Sequence, residues 1–199
     1  MKTIVSISGT SRPDNYTSHA LAIVNERLRQ DGAKVTTFDA RQLALAFPGQ
    51  PTTDDARRLR EAIGEADAIV LATPEYHGSF AAMTKLIIEN LGFPSALEGK
   101  PMSLLGVASG RIGAIKTLEQ LRGVCAHVGA IVLPGAVSIA GIRNAFDSAG
   151  QCTNDTVEEM LVGLADNTLK YIEQYICPKF ILEAQVRDDE ESEPWVTSI

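Results

Sequence analysis

Ile4-Val5-Ser6-Ile7-Ser8-Gly9-Thr10-Ser11-Arg12-Pro13-Asp14-Asn15-Tyr16-Thr17-Ser18 is an apolar run that breaks into small, hydroxyl-bearing residues and one arginine. From Asn15 the spacing becomes helical, with Ala20, Leu21, Val24 and Leu28 on one stripe that stops at Asp31-Gly32. A buried strand that feeds such a loop, followed at once by a helix, is the layout of an anion site. Backbone N–H groups, hydroxyls and the helix N-terminus converge where the chain turns. The loop is expected to hold the phosphate of a nucleotide or flavin. A strand–helix turn with Asp14 or Asn15 as N-cap is the plainer reading of the same residues.

The rest of the chain repeats the strand–helix alternation. Lys34–Asp39 reads as a second strand, and a charged helix runs from about Thr53 to Glu65. Asp67–Thr73 is apolar at nearly every position, as in sheets covered on both faces. Pro74–Ser79 is read as breaking that strand, and Phe80 to about Asn90 returns to helical spacing through Met83, Leu86 and Ile87. Met102–Ala108 is a fourth strand and Ala130–Leu133 a fifth. Residues 136–152 read as irregular, and a long final helix is striped by Val157, Leu161, Leu164, Thr168 and Ile172 to about Ile176. Such alternation implies right-handed βαβ units and one parallel sheet. The expected architecture is α/β, a three-layer sandwich with a five-stranded parallel sheet in the order 2-1-3-4-5. It forms one domain over residues 1–177, with a loose acidic tail over 178–199.

Composition narrows the function. The chain has 199 residues and a formal net charge of −7, which argues against a nucleic-acid partner. No apolar run approaches the roughly 20 residues that span a bilayer, so no membrane partner is expected. The start of the chain is read without a signal peptide. Cys125, Cys152 and Cys177 are odd in number and widely spaced, fitting neither a disulfide framework nor a zinc site, and a reducing cytoplasm is the expected setting. Gly-x-Ser-x-Gly, His-Glu-x-x-His and the Walker-type Gly-x-x-x-x-Gly-Lys loop are all missing, as is Gly-x-Gly-x-x-Gly in the first loop.

Three unusual loops follow strands one, three and four: Gly9–Ser18, Pro74–Ser79 and Ser109–Gly113. In a doubly wound sheet they face one edge and share one crevice. Their wording resembles the NADPH-dependent FMN reductase family, flavodoxin-like proteins that include quinone, azo-dye and chromate reductases. The resemblance rests on Gly9-Thr10-Ser11-Arg12 with Asn15, Thr17 and Ser18, and on Pro74-Glu75-Tyr76-His77-Gly78-Ser79. Ser109-Gly110-Arg111-Ile112-Gly113 and Gly99-Lys100-Pro101 complete it, over roughly residues 2–133. Two departures stand out: His77 takes the place of the usual Asn, and Ala81-Ala82-Met83 replaces a Pro-Gly stretch.

The resemblance implies FMN as cofactor and NADPH or NADH as electron donor. Thr10, Ser11, Arg12, Asn15, Tyr16, Thr17 and Ser18 would hold the FMN phosphate. Pro74, Glu75, Tyr76, His77 and Gly78 would lie along the isoalloxazine. Ser109, Gly110 and Arg111, read as opening the fourth helix, would face the pyrimidine edge, where charge collects on N1 and O2 after reduction. No protein group is expected to be catalytic, because the chemistry belongs to flavin N5. A small-molecule acceptor (a quinone, azo compound, metal oxyanion or free flavin) would complete turnover. The resemblance also implies a homodimer or homotetramer, with segment 80–93 as a candidate interface and Lys85 as a phosphate partner for NADPH. A flavodoxin-type electron carrier and a non-catalytic flavin-binding regulatory module are the rival functions.

Overall fold

The computed structural model describes residues 1–192, with side chains for all of these except 180, 184 and 187–192. Strand β1 (Thr3–Ser8) leads into helix α1 (Tyr16–Gln30), followed by β2 (Lys34–Asp39), α2 (Asp54–Glu65) and β3 (Ala68–Tyr76). Then come β4 (Ser79–Phe80), α3 (Ala82–Glu89), β5 (Pro101–Val107), α4 (Ile115–His127), β6 (Ile131–Val132) and β7 (Val137–Ile139). Helix α5 (Asp155–Tyr171) closes the domain.

The sheet order is β2-β1-β3-β5, with β6 and β7 both parallel to β5 on its far side. The expected 2-1-3-4-5 order is therefore present, its fifth position filled by two short strands in succession. Val137–Ile139, read from sequence as irregular, pairs with Leu105–Val107. The interruption falls at Pro134-Gly135, since proline offers no N–H to a ladder. The third strand is also longer than expected. It runs through Pro74 to Tyr76, and Pro74 still sits opposite Val107.

Side-chain alternation along the strands divides the core in two. Val70 and Ala72 of β3 face α1 and α5, where Leu21, Val24, Leu28, Leu161 and Leu164 are buried. Ile69 and Leu71 face the other way, onto Leu59 and Ile63 of α2, Ile87 of α3 and Leu121 of α4. Both faces are covered, which is why β3 and β5 are apolar at nearly every buried position.

The final helix does not stop near Ile176. A wide π turn over Ile172–Ile176 passes into α6 (Cys177–Ser192), so these residues are helical where the sequence suggests a loose tail. Pro178 accounts for the wide turn, because it has no N–H to close an α turn behind it. Residues 193–199, the remainder of the expected tail, lie outside the described residues.

A two-residue hairpin joins β3 to β4, with Tyr76 opposite Ser79. Its central residues have φ of 53° at His77 and 77° at Gly78, as a type I′ turn requires. The departure at position 77 thus has a backbone meaning: asparagine and histidine both enter the left-handed region more readily than most residues. Gln120 of α4 straps the hairpin down, donating to Gly78 O (3.0 Å) and accepting from Ser79 Oγ (2.7 Å).

His77→Asn is expected to preserve or raise thermal stability. His77→Val should lower it by about 1–2 kcal/mol in a urea melt, the penalty of a left-handed β-branched residue. A valine variant as stable as the parent refutes this account of the turn.

Candidate functional site

The first loop is built around its cap. Asn15 Oδ1 accepts the Ser18 N–H at 2.7 Å, and Asn15 Nδ2 donates to Arg12 O at 2.8 Å. The capping reading of Asn15 therefore holds: its amide organises the loop, and both of its polar atoms are engaged within it. Thr10 is fully buried, and its hydroxyl accepts the Arg12 N–H (3.3 Å) beside the Tyr76 hydroxyl (3.5 Å). The Ser18 hydroxyl pairs with Ser8 Oγ at 2.9 Å.

What remains open is the start of α1. Its first N–H groups have no partner within the helix, and Asn15 takes only that of Ser18. Helices α2 and α5 carry Asp54, Asp55, Asp155 and Glu158 in their first turns, whereas α1, like α3 and α4, has no acid in its own. The positive end of α1 is thus left to whatever anion enters.

That end forms one wall of a cleft of about 320 Å³. Arg12, Asn15, Tyr16 and Thr17 line it from the first loop, and Pro74, Glu75 and Tyr76 from the end of β3. Ser109 lines it from the loop after β5. Parts of all three expected loops meet there, outside the carboxyl ends of the strands. Ser11, Ser18, His77, Gly78, Gly110 and Arg111 do not line the cleft, and Thr10 is buried behind its surface.

The loop after β5 differs from expectation. Ser109–Gly113 does not open the fourth helix, which starts at Ile115. Gly113 has φ of 78°, outside the helical region, and a Cβ there would meet Ser138 Oγ at 2.7 Å. Arg111 is exposed on this turn.

Ile142 and Arg143 line the cleft as well and are absent from the sequence reading. They belong to a short 3-10 turn, Ile142–Asn144, just past β7. The available signal was a basic residue following the fifth strand, on the same edge as the other loops. Arg143 Nε donates to Ser109 Oγ at 3.1 Å. Among the described residues neither Arg12 nor Arg143 forms an ion pair. Two unpaired guanidiniums, an uncovered helix N-terminus and the Thr17 and Ser109 hydroxyls form a donor set that suits a phosphorylated, carbonyl-rich ligand such as FMN.

The other expected residues lie elsewhere. Lys85 pairs with Glu89 and faces a second cavity, between α3 and α4. Lys100 sits at the opposite end of β5, donating to Gly64 O (2.6 Å) and Ala66 O (2.9 Å), so the Gly-Lys-Pro motif is structural. Burial holds the Lys100 ammonium below its usual range. The Cys125 thiol is pushed up to about 12 by burial and is inert as a nucleophile. Among the described residues no group of His, Cys, Asp and Glu could hold a metal ion, and no helix is long and apolar enough to cross a membrane.

The fold defines a flavodoxin-like α/β protein with a cleft lined by two arginines at the carboxyl edge of its sheet. The NADPH-dependent FMN reductase family model matches residues 2–144, and the chain belongs to that family. It is therefore an oxidoreductase of the kind that works with FMN and NAD(P)H. A NAD(P)H-dependent FMN reductase from Pseudomonas aeruginosa is 31% identical over 168 residues, 79% of this chain and 88% of the relative. An FMN-dependent NADPH-azoreductase from Staphylococcus aureus is 27% identical over 146 residues, covering 69% and 76%. Among solved structures, FerB, a flavoenzyme NAD(P)H:(acceptor) oxidoreductase from Paracoccus denitrificans, superposes with a TM-score of 0.71. It is 25% identical and covers 88% of this chain and 99% of its own.

Two walls of the cleft are joined beneath its floor. Thr84 Oγ1 donates to Gly9 O at 2.8 Å and lies 2.8 Å from Thr73 Oγ1, which accepts the Ala81 N–H at 3.2 Å. A Cβ on Gly9 would fall 2.3 Å from Thr84 Oγ1 and 2.9 Å from Ala72 O. Gly9→Ala is expected to destabilise the protein by about 1–3 kcal/mol through overpacking. The loss should be smaller in a Thr84→Ala background, measured as a double-mutant cycle of urea melts. Strictly additive losses would show that the two residues do not meet.

Proposed function

We propose that the chain is an NAD(P)H-dependent FMN reductase that passes electrons to a small-molecule acceptor, with FMN seated in the cleft between α1 and Ser109. One observation carries this reading. Arg12, the acid-free first turn of α1, Tyr76 and Ser109 line a single cleft in a chain of the FMN reductase family.

In this reading Arg12, the Thr17 hydroxyl and the first N–H groups of α1 hold the phosphate, a dianion that favours charge-assisted donors. Pro74 to Tyr76 support the ring from the β3 side, with the Tyr76 side chain half in solvent. The hairpin at His77-Gly78 lies outside the cleft lining and holds Tyr76, which does line it, against Ser79. FMN, when bound there, would supply two-electron chemistry at N5, linking NADPH or NADH as donor to a quinone, azo compound, metal oxyanion or free flavin as acceptor. The protein positions both partners and needs no nucleophile of its own. The three free cysteines suit a reducing cytoplasm.

A second copy of the chain is the partner this reading implies. Phe93 is fully exposed beside an apolar groove of about 990 Å³ lined by Phe80, Ile88, Val124 and Val128. A protruding aromatic ring next to a groove suits an isologous dimer, in which each copy fills the other. Phe93→Asp is expected to convert the dimer to monomer in sedimentation velocity. An unchanged profile, or a parent that is already monomeric, refutes the groove as the interface.

The functional reading is tested by a visible spectrum of protein reconstituted with FMN, followed by stopped-flow reduction with NADH and with NADPH. Flavin absorbance that bleaches with at least one nicotinamide is the expected result. Arg12→Ala should weaken FMN binding about 10- to 100-fold, the equivalent of one charge-assisted contact. Holoprotein that oxidises neither nicotinamide would favour the electron carrier, and protein that takes up no FMN would leave only the regulatory module.

A further inference from the structure

Arg143 lies outside every loop from which the sequence leads one to expect flavin contacts, yet it opens on the same cleft as Arg12. Its position is fixed by the main chain. Ala108 N donates to Ile139 O (2.9 Å), Ile142 N to Ala108 O (3.0 Å) and Gly141 N to Gly110 O (3.0 Å). These bonds zip the loop after β5 to the segment after β7. Ile142, only 2% exposed, anchors the turn in the core next to Arg143. Within this joint Arg143 Nε is committed to Ser109 Oγ, which leaves both terminal nitrogens of the guanidinium to point elsewhere.

The strand order says which end of the cleft this cation occupies. The sequence of neighbours is β1-β3-β5-β7. At about 4.8 Å per strand, the end of β5 lies roughly 10 Å, and that of β7 roughly 14 Å, from the end of β1. Arg12 and the start of α1 serve the β1 end, while Ser109 and Arg143 serve the other. The two arginines therefore address opposite ends of the ligand.

We propose that Arg143, oriented by Ser109, is the cation facing the pyrimidine edge of bound FMN, and that it selectively stabilises the reduced flavin. The proposal rests on the FMN reading above. The oxidised ring is neutral, whereas reduction places negative charge along N1 and O2. A fixed guanidinium there favours the charged form and does little for the neutral one. Arg12, facing a phosphate whose charge does not change on reduction, holds both states alike. Arg143 is thus a residue that sets the driving force of the flavin, and Arg12 one that sets its retention.

The test compares the parent, Arg143→Gln and Arg143→Lys as apoproteins titrated with oxidised FMN and, anaerobically, with reduced FMN. Midpoint potentials are measured on the holoproteins. Arg143→Gln is expected to leave the Kd for oxidised FMN within about twofold and to weaken reduced FMN about tenfold, the scale of one contact to a charged group. For a two-electron couple that tenfold change lowers the midpoint by about 30 mV. Arg143→Lys, which keeps the charge, should recover most of the potential and serves as the variant least able to disturb folding. Equal weakening of both redox forms would overturn the proposal and make Arg143 a phosphate or ribityl contact. Unchanged affinity for both forms would overturn it as well. A parent that binds neither form defeats the FMN reading itself, so the two failures are distinguishable.

Discussion

The hydroxyl of Thr84, buried and donating to the carbonyl of Gly9, is the joint on which the cleft depends. It lies where the ends of β1 and β3 meet the start of α3, and Thr73 joins the same cluster. A polar group sealed from water must find a partner or lose its desolvation energy, so these three segments hold one another in a single arrangement. The Gly9 N–H closes the set on Ala72 O at 2.8 Å. With no room for a Cβ at Gly9, the first loop is pressed against β3, and Arg12 and Tyr76 come to line one cleft.

Charge works against the general character of the chain. A protein of net charge −7 repels anions at long range, yet the cleft gathers two arginines that form no ion pair among the described residues and a helix whose first turn carries no acid. Asp14 and Glu75 also line it, and Glu75 accepts from Thr117 of α4 at 3.3 Å. Any positive potential in the cleft is therefore local, set by these donors and not by the field of the whole surface.

Much of this was legible in the chain itself. The β-branched and apolar runs of β1, β3 and β5 are buried on both faces, so their composition announces a covered parallel sheet. Asn15 is read as a cap because a short amide just before a helical stripe satisfies an N–H that the helix cannot. Less legible were the segments whose conformation depends on a distant neighbour. Val137–Ile139 is only three residues long, and nothing local marks it as a strand until β5 lies beside it. The turn at Ser109–Gly113 looks like a helix start, but Gly113 must stay clear of Ser138, a residue on another strand. Arg143 carried no local motif.

The sequence by itself determined the alternation of strands and helices, the two-faced core, the family and the place of the first loop at the carboxyl edge of the sheet. These follow from short-range facts: periodicity, capping and the chemistry of adjacent residues. Only the tertiary structure decided which residues of each loop reach the cleft, and that a fourth segment, past β7, reaches it too. The physical reason is that side chains far apart in the chain become neighbours through strand pairing and hydrogen bonds between loops. Those pairings are properties of the assembled sheet, and no window of sequence contains them.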